Sequence, residues 1–194
     1  MNKNVNKKKK YINKFLNIPN GLTILRISLI PIFIVVFYIP WKFHYIASTI
    51  IFILASVTDY LDGYLARKLQ QESAFGKFLD PVADKLIIAV ALILLVEEHA
   101  TPWFSIPAAV IVCREITVSA LREWMADVGK STHVAVSLLG KLKTFLQMVA
   151  ICMLLAIPSY ASNMLLLAYG CLYLAVILTI WSMLIYLWAS RKSF

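Results

Sequence analysis

Charge is scarce in these 194 residues. Asp, Glu, Lys and Arg together make up 15%, hydrophobic residues 61%, and mean hydropathy is +0.78. A soluble domain carries about a quarter of its residues as charges, so that class is excluded and an integral membrane protein is expected. Acids are the scarcer sign, ten against nineteen Lys and Arg, which leaves a formal net charge of +9. Cysteine is nearly absent as well. Cys113, Cys152 and Cys171 stand singly in apolar segments, without the spacing of a metal knuckle, and are expected to be buried packing residues. His44, His99 and His133 suggest no ligand set. No internal repeat and no second soluble domain can be read.

What is abundant is apolar sequence in long runs. Stretches able to cross about 30 Å of hydrocarbon fall at residues 20–40, 45–66, 76–97, 102–124, 134–157 and 162–189. The expected fold is an all-α membrane protein of six transmembrane helices, with a basic arm over residues 1–18 and a membrane domain over 19–190. The third run, through Leu86–Val96, is the plainest. The fourth carries Arg114 and Glu115 and is expected to be broken by Pro102 and Pro107, which remove backbone donors.

Orientation follows from the basic residues. Lys3, Lys7 to Lys10, Lys14, Arg67, Lys68, Lys77, Arg122, Lys130, Arg191 and Lys192 fall on one side and Lys42 alone on the other, which places both termini in the cytoplasm of a cell with this protein in its plasma or inner membrane. The basic start of the chain is followed by no small-residue cleavage site, so a removed signal peptide is not expected. Tyr11, Ile12, Phe15 and Leu16 follow the lysines at helical spacing. The arm reads either as an interfacial helix on anionic membrane lipid or as a disordered basic tail that fixes topology. No nucleic-acid partner is expected.

The few acids are not spread evenly. Four of the five aspartates, Asp59, Asp62, Asp80 and Asp84, lie within twenty-six residues where the second and third runs meet. At about 100° per residue, Asp59, Asp62, Gly63 and Ala66 share a helical face with Arg67 at its edge, and Gly76, Asp80 and Asp84 stack at i, i+4, i+8 on the next helix. Ionised acids in hydrocarbon must face a polar cavity, a partner or a metal. Oxygen donors suit Mg²⁺ or Mn²⁺, and Arg67, Lys77, Lys85, Arg114, Arg122, Lys141 and Lys143 could bind further negative charge. Metal, carboxylates and basic groups are the equipment of phosphoryl transfer. The competing reading is that the acids simply pair with those cations to hold the bundle together.

The string Asp59-x2-Asp62-Gly63-x2-Ala66-Arg67-x8-Gly76-x3-Asp80-x3-Asp84 resembles the signature of the CDP-alcohol phosphotransferases at every fixed position. That resemblance implies a six-helix fold in which an acceptor hydroxyl attacks the β-phosphorus of a CDP-linked lipid and CMP leaves. It further implies that Asp59, Asp62 and Asp80 hold the metal, two ions of Mg²⁺ or Mn²⁺, that Asp84 contributes to the site and takes the acceptor proton, and that the protein is a homodimer. Gly63, Ala66, Arg67 and Gly76 would belong to the CDP-lipid site, small residues letting the nucleotide approach the backbone or packing the helices closely. Asn20, Thr23 and Arg26 stand at i, i+3, i+6 at the start of the first run. Read alone, Asn20 is a helix cap and Arg26 a snorkelling side chain; by resemblance Asn20 and Thr23 help hold the nucleotide.

Acceptor choice has to come from elsewhere. Arg114 and Arg122 are eight apart on one face, and Lys141 and Lys143 follow in the fifth run. Such deep cations suit a phosphate-bearing acceptor, with pairing to Glu115 and Glu123 as the alternative. Both segments resemble the bacterial branch of the family that uses sn-glycerol 3-phosphate, so the expected reaction joins it to the phosphatidyl group of CDP-diacylglycerol, giving phosphatidylglycerol phosphate and CMP. The alternatives are a cardiolipin-type or phosphatidylserine-type member and, from another class, a divalent-cation transporter, which should show broken helices and often an internal repeat.

Overall fold

The computed structural model describes residues 18–68, 74–127, 138–157 and 162–191. They form six helices: α1 Ile18–Tyr38, α2 His44–Lys68, α3 Ala74–His99, α4 Pro102–Asp127, α5 Leu138–Ala156 and α6 Ser162–Arg191. The arm before residue 18, with the proposed interfacial helix, and His133 lie outside the described residues. By length and composition α1, α4 and α6 each hold a stretch able to cross a membrane, while α2 and α5 hold shorter apolar stretches. The plain run of α3 does not meet that standard, because Asp80, Asp84 and Lys85 precede it and Glu97 and Glu98 follow it.

The helices are apolar on their outer faces as well as their inner ones. On α6 the buried stripe is Ala168, Leu172, Ala175, Val176 and Thr179, yet Leu166, Leu167, Ile177, Trp181 and Leu184 on the other sides are exposed. A helix that is apolar all round belongs in lipid, where small inner residues let backbones pack and hydroxyls must find partners within the protein. Thr49, Ser56, Thr58, Thr117 and Thr144 accordingly donate to carbonyls one turn back, at 2.8–3.1 Å.

The chain divides into two compact units within α3, after Ala91. In the first, α1 packs along α2, with Phe33 and Phe52 fully buried and their ring centroids 6.4 Å apart. One face of α1 is buried from end to end: Asn20, Thr23 and Arg26, then Ile30, Phe33 and Phe37. A single helical stripe therefore turns from apolar to polar along its length. In the second unit α4 and α5 both pack on α6, burying Ile111, Ile151, Leu154, Leu155 and Leu172.

Two expectations need correction. Proline does not break α4. Pro102 opens the helix, where the missing N–H costs nothing, and Pro107 lies inside it. The carbonyl that Pro107 cannot serve is that of Trp103, one turn back, and it accepts a hydrogen bond from the Tyr173 hydroxyl at 2.8 Å, so the helix runs on. Cys113 is exposed on α4 rather than buried, and Cys152 and Cys171 are partly exposed.

Candidate active site

In the first unit the stripes expected from the spacing come together on α1. Asp59 and Asp62 sit one turn apart on α2, Asp80 and Asp84 one turn apart on α3. Arg26 reaches all but one of them. Its Nη1 donates to Asp59 Oδ1 at 2.9 Å and to Asp84 Oδ1, and its Nη2 donates to Asp62 Oδ2. The remaining acid, Asp80, accepts a 2.6 Å hydrogen bond from the Thr23 hydroxyl, which also lies 3.5 Å from Asp62 Oδ2. Asp62 is buried, whereas the Asp59 and Asp84 side chains are 43% and 41% exposed. The cluster is thus anchored at the buried Asp62, and its other three acids are only partly buried.

Arg26 corrects the sequence reading. Its side chain is 0% exposed and does not snorkel to the interface. The signal was present in the spacing, since Arg26 continues into Ile30, Phe33 and Phe37 at i+4, i+7 and i+11, the period of the buried face. Asn20 is not the cap either: α1 begins two residues earlier, and Asn20 is buried within it. Gly76 is buried on α3. Gly63, Ala66 and Arg67 lie on α2, and their side chains are outside the described set.

Among the described residues no three acids, cysteines or imidazoles converge on one point as a ready metal shell. The acids gather on a guanidinium instead. Their chemistry nonetheless fits a hard divalent cation, with carboxylates from two helices, the Thr23 hydroxyl beside them and no soft donor.

A second polar cluster occupies the second unit. Arg114 on α4 is buried, and it donates through Nη1 to Glu115 and through Nη2 to Ser182 Oγ on α6 at 3.1 Å. Lys143 on α5, also buried, brings Nζ to 3.7 Å from Glu115 Oε1. The pairing of Arg114 with Glu115 weighed from sequence is therefore present, but two cations share one acid. Arg114 Nε and, on α5 and α6, Gln147 Oε1 and Thr179 Oγ1 are buried without partners among the described residues, and buried polar atoms of that kind are costly unless something completes them. Arg122 and Lys141 lie on α4 and α5, with side chains outside the described set. Sequence reasoning missed Gln147, Thr179 and Ser182, which are ordinary residues of apolar helices until the fold hydrogen-bonds Ser182 to Arg114 and buries Gln147 and Thr179.

A model of the CDP-alcohol phosphatidyltransferase family matches residues 16–181. The chain belongs to that family. It is 53% identical over 176 residues to a protein of Pseudomonas fluorescens, covering 90% of each chain. It is 49% identical over 179 residues to one of Escherichia coli K12, covering 90% of this chain and 95% of the other. It is 49% identical over 176 residues to one of Sodalis glossinidius, covering 91% and 96%. Each of the three carries the name "CDP-diacylglycerol--glycerol-3-phosphate 3-phosphatidyltransferase". The matched region takes in the whole acid cluster and, of the second cluster, everything but Ser182.

Proposed function

We propose that this protein is a membrane enzyme that transfers the phosphatidyl group of CDP-diacylglycerol to sn-glycerol 3-phosphate, releasing phosphatidylglycerol phosphate and CMP. The observation that carries the reading is the meeting of four acids from two helices at the polar end of the α1 stripe, in a chain about half identical to relatives of that name over nine-tenths of its length.

In this reading an acceptor hydroxyl oxygen forms a bond to the β-phosphorus, the bond from that phosphorus to the oxygen bridging the two phosphates breaks, and CMP departs with the electron pair. Asp59, Asp62, Asp80 and Asp84 would hold two ions of Mg²⁺ or Mn²⁺, whose chemistry is to neutralise the diphosphate oxygens as charge shifts to the leaving group. Asp84, whose side chain is partly exposed, takes the hydroxyl proton as attack develops. Thr23 fixes the Asp80 carboxylate by its 2.6 Å hydrogen bond. Asn20, Thr23, Gly63, Ala66, Arg67 and Gly76 line the CDP-lipid side. Arg114, Arg122 and Lys141, joined by Lys143, bind the acceptor phosphate. All six helices cross the membrane, the acids and both termini face the cytoplasm, and the enzyme works as a homodimer.

The test is CMP release by purified protein in detergent with CDP-diacylglycerol, comparing glycerol 3-phosphate with serine, inositol phosphate and phosphatidylglycerol. Release confined to glycerol 3-phosphate is expected. Release with another acceptor would leave the acid cluster its role and overturn the reading of Arg114, Arg122, Lys141 and Lys143.

A further inference from the structure

We propose that Arg26 is a built-in counter-cation of the acid cluster, a positioning residue that gathers Asp59, Asp62 and Asp84 and competes with divalent cations for their carboxylates. The inference rests on the metal reading of those acids. It starts from burial. A fully buried arginine keeps its proton under any ordinary condition, so unlike a lysine it cannot shed its charge when desolvated. Only fixed anions can hold such a group in place, and its two terminal nitrogens meet three of them.

The geometry gives the fork a particular task. Nη1 is shared by Asp59 of α2 and Asp84 of α3, so one nitrogen ties together the acids of two helices that would otherwise repel. Nη2 takes Asp62, the most buried of the set. A cation held by acids of both helices has to enter this same space. It then shares oxygens with the guanidinium or displaces it, and in either case its charge lies close to that of Arg26. Arg26 therefore acts in two opposite directions: it stabilises the cluster when no divalent cation is bound, and it weakens the binding of one. A guanidinium that only packed the helices would do the first and not the second.

Arg26→Gln separates the two, with Arg26→Lys as the variant that keeps the charge and loses the fork. Purified proteins in detergent would be melted in chelator and across a Mn²⁺ titration, and free Mn²⁺ followed by its paramagnetic resonance signal. Arg26→Gln is expected to melt lower than wild type in chelator, to regain that loss as Mn²⁺ is added, and to bind Mn²⁺ about tenfold more tightly or better, because a like charge at contact range has been removed. Arg26→Lys should lie near wild type in Mn²⁺ affinity. An unchanged or weaker Mn²⁺ affinity in Arg26→Gln, or an equal loss of melting temperature with and without Mn²⁺, would overturn the proposal. If Arg26→Gln cannot be purified, the double variant Arg26→Gln with Asp84→Asn, which removes one acid together with the cation, is expected to recover folded protein; its failure to do so would also overturn the proposal. Wild-type protein that binds no Mn²⁺ would remove the metal reading itself, whereas wild-type binding left unchanged in Arg26→Gln would remove the counter-cation alone.

Discussion

Each unit of this protein buries an arginine in an ion-pair cluster, and among the described residues the balance of charge in the two is opposite. Around Arg26 one cation faces Asp59, Asp62 and Asp84, with Asp80 held beside them by Thr23. Around Arg114 one acid, Glu115, serves two cations, Arg114 and Lys143. A network whose only purpose was to hold helices together would be expected to approach neutrality, since unpaired charge in an apolar surround is costly. Among the described residues neither does: three acids meet Arg26, and one acid meets Arg114 and Lys143. Each imbalance agrees with the ligand proposed for that cluster, a divalent cation at the first and an acceptor phosphate at the second.

The largest effects should come from the acids. Asp80→Asn or Asp84→Asn is expected to lower CMP release by about 10²–10⁴-fold, the range for loss of a charged group acting in the transition state, while the protein is still extracted folded. Wild-type rates in either would erase the difference between the clusters. Next comes the opposite cluster. Arg114→Ala and Lys143→Met should each raise the KM for glycerol 3-phosphate by about tenfold or more, the worth of a charge-assisted contact, and leave the KM for CDP-diacylglycerol nearly unchanged. Equal rises in both would mean that the Arg114 group is a structural tie. Thr23→Val sharpens the first cluster from within: kcat is expected to fall about tenfold as the Asp80 carboxylate loses its donor. The smallest effect belongs to neither cluster. Tyr173→Phe leaves the Trp103 carbonyl without its donor and should cost about 1 kcal/mol of stability, seen as a lower melting temperature with unaltered kinetics; altered kinetics would show that the proline-relieved turn of α4 matters to the chemistry.

Much of this was legible in the residues. Runs of apolar sequence locate all six helices to within a few residues, because a chain in lipid must satisfy its backbone internally and helices do so segment by segment. The acids of α2 and α3 could be paired from spacing alone, since period fixes face. Two of the misreadings share a physical cause, which is that a side chain's partner lies on another helix. Arg26 looks like an interfacial residue until Asp59, Asp62 and Asp84 are brought to it. Pro107 looks like a break until Tyr173, sixty-six residues away, supplies the donor that its turn lacks. Lys143 and Lys141 are two apart and indistinguishable in composition, and only the packing of α5 buries Lys143 beside Glu115. Gln147 and Thr179 carried no signal, because an amide or hydroxyl in an apolar helix is most often satisfied locally.

The measurement that bears most directly on the acid cluster is the metal dependence of turnover: CMP release from CDP-diacylglycerol and glycerol 3-phosphate by the purified wild-type protein, first stripped with chelator and then titrated with Mg²⁺ or Mn²⁺. No release in chelator and full recovery with either cation are expected. Undiminished release in chelator would contradict this, and would leave the aspartates as partners of Arg26 and Thr23 and nothing more.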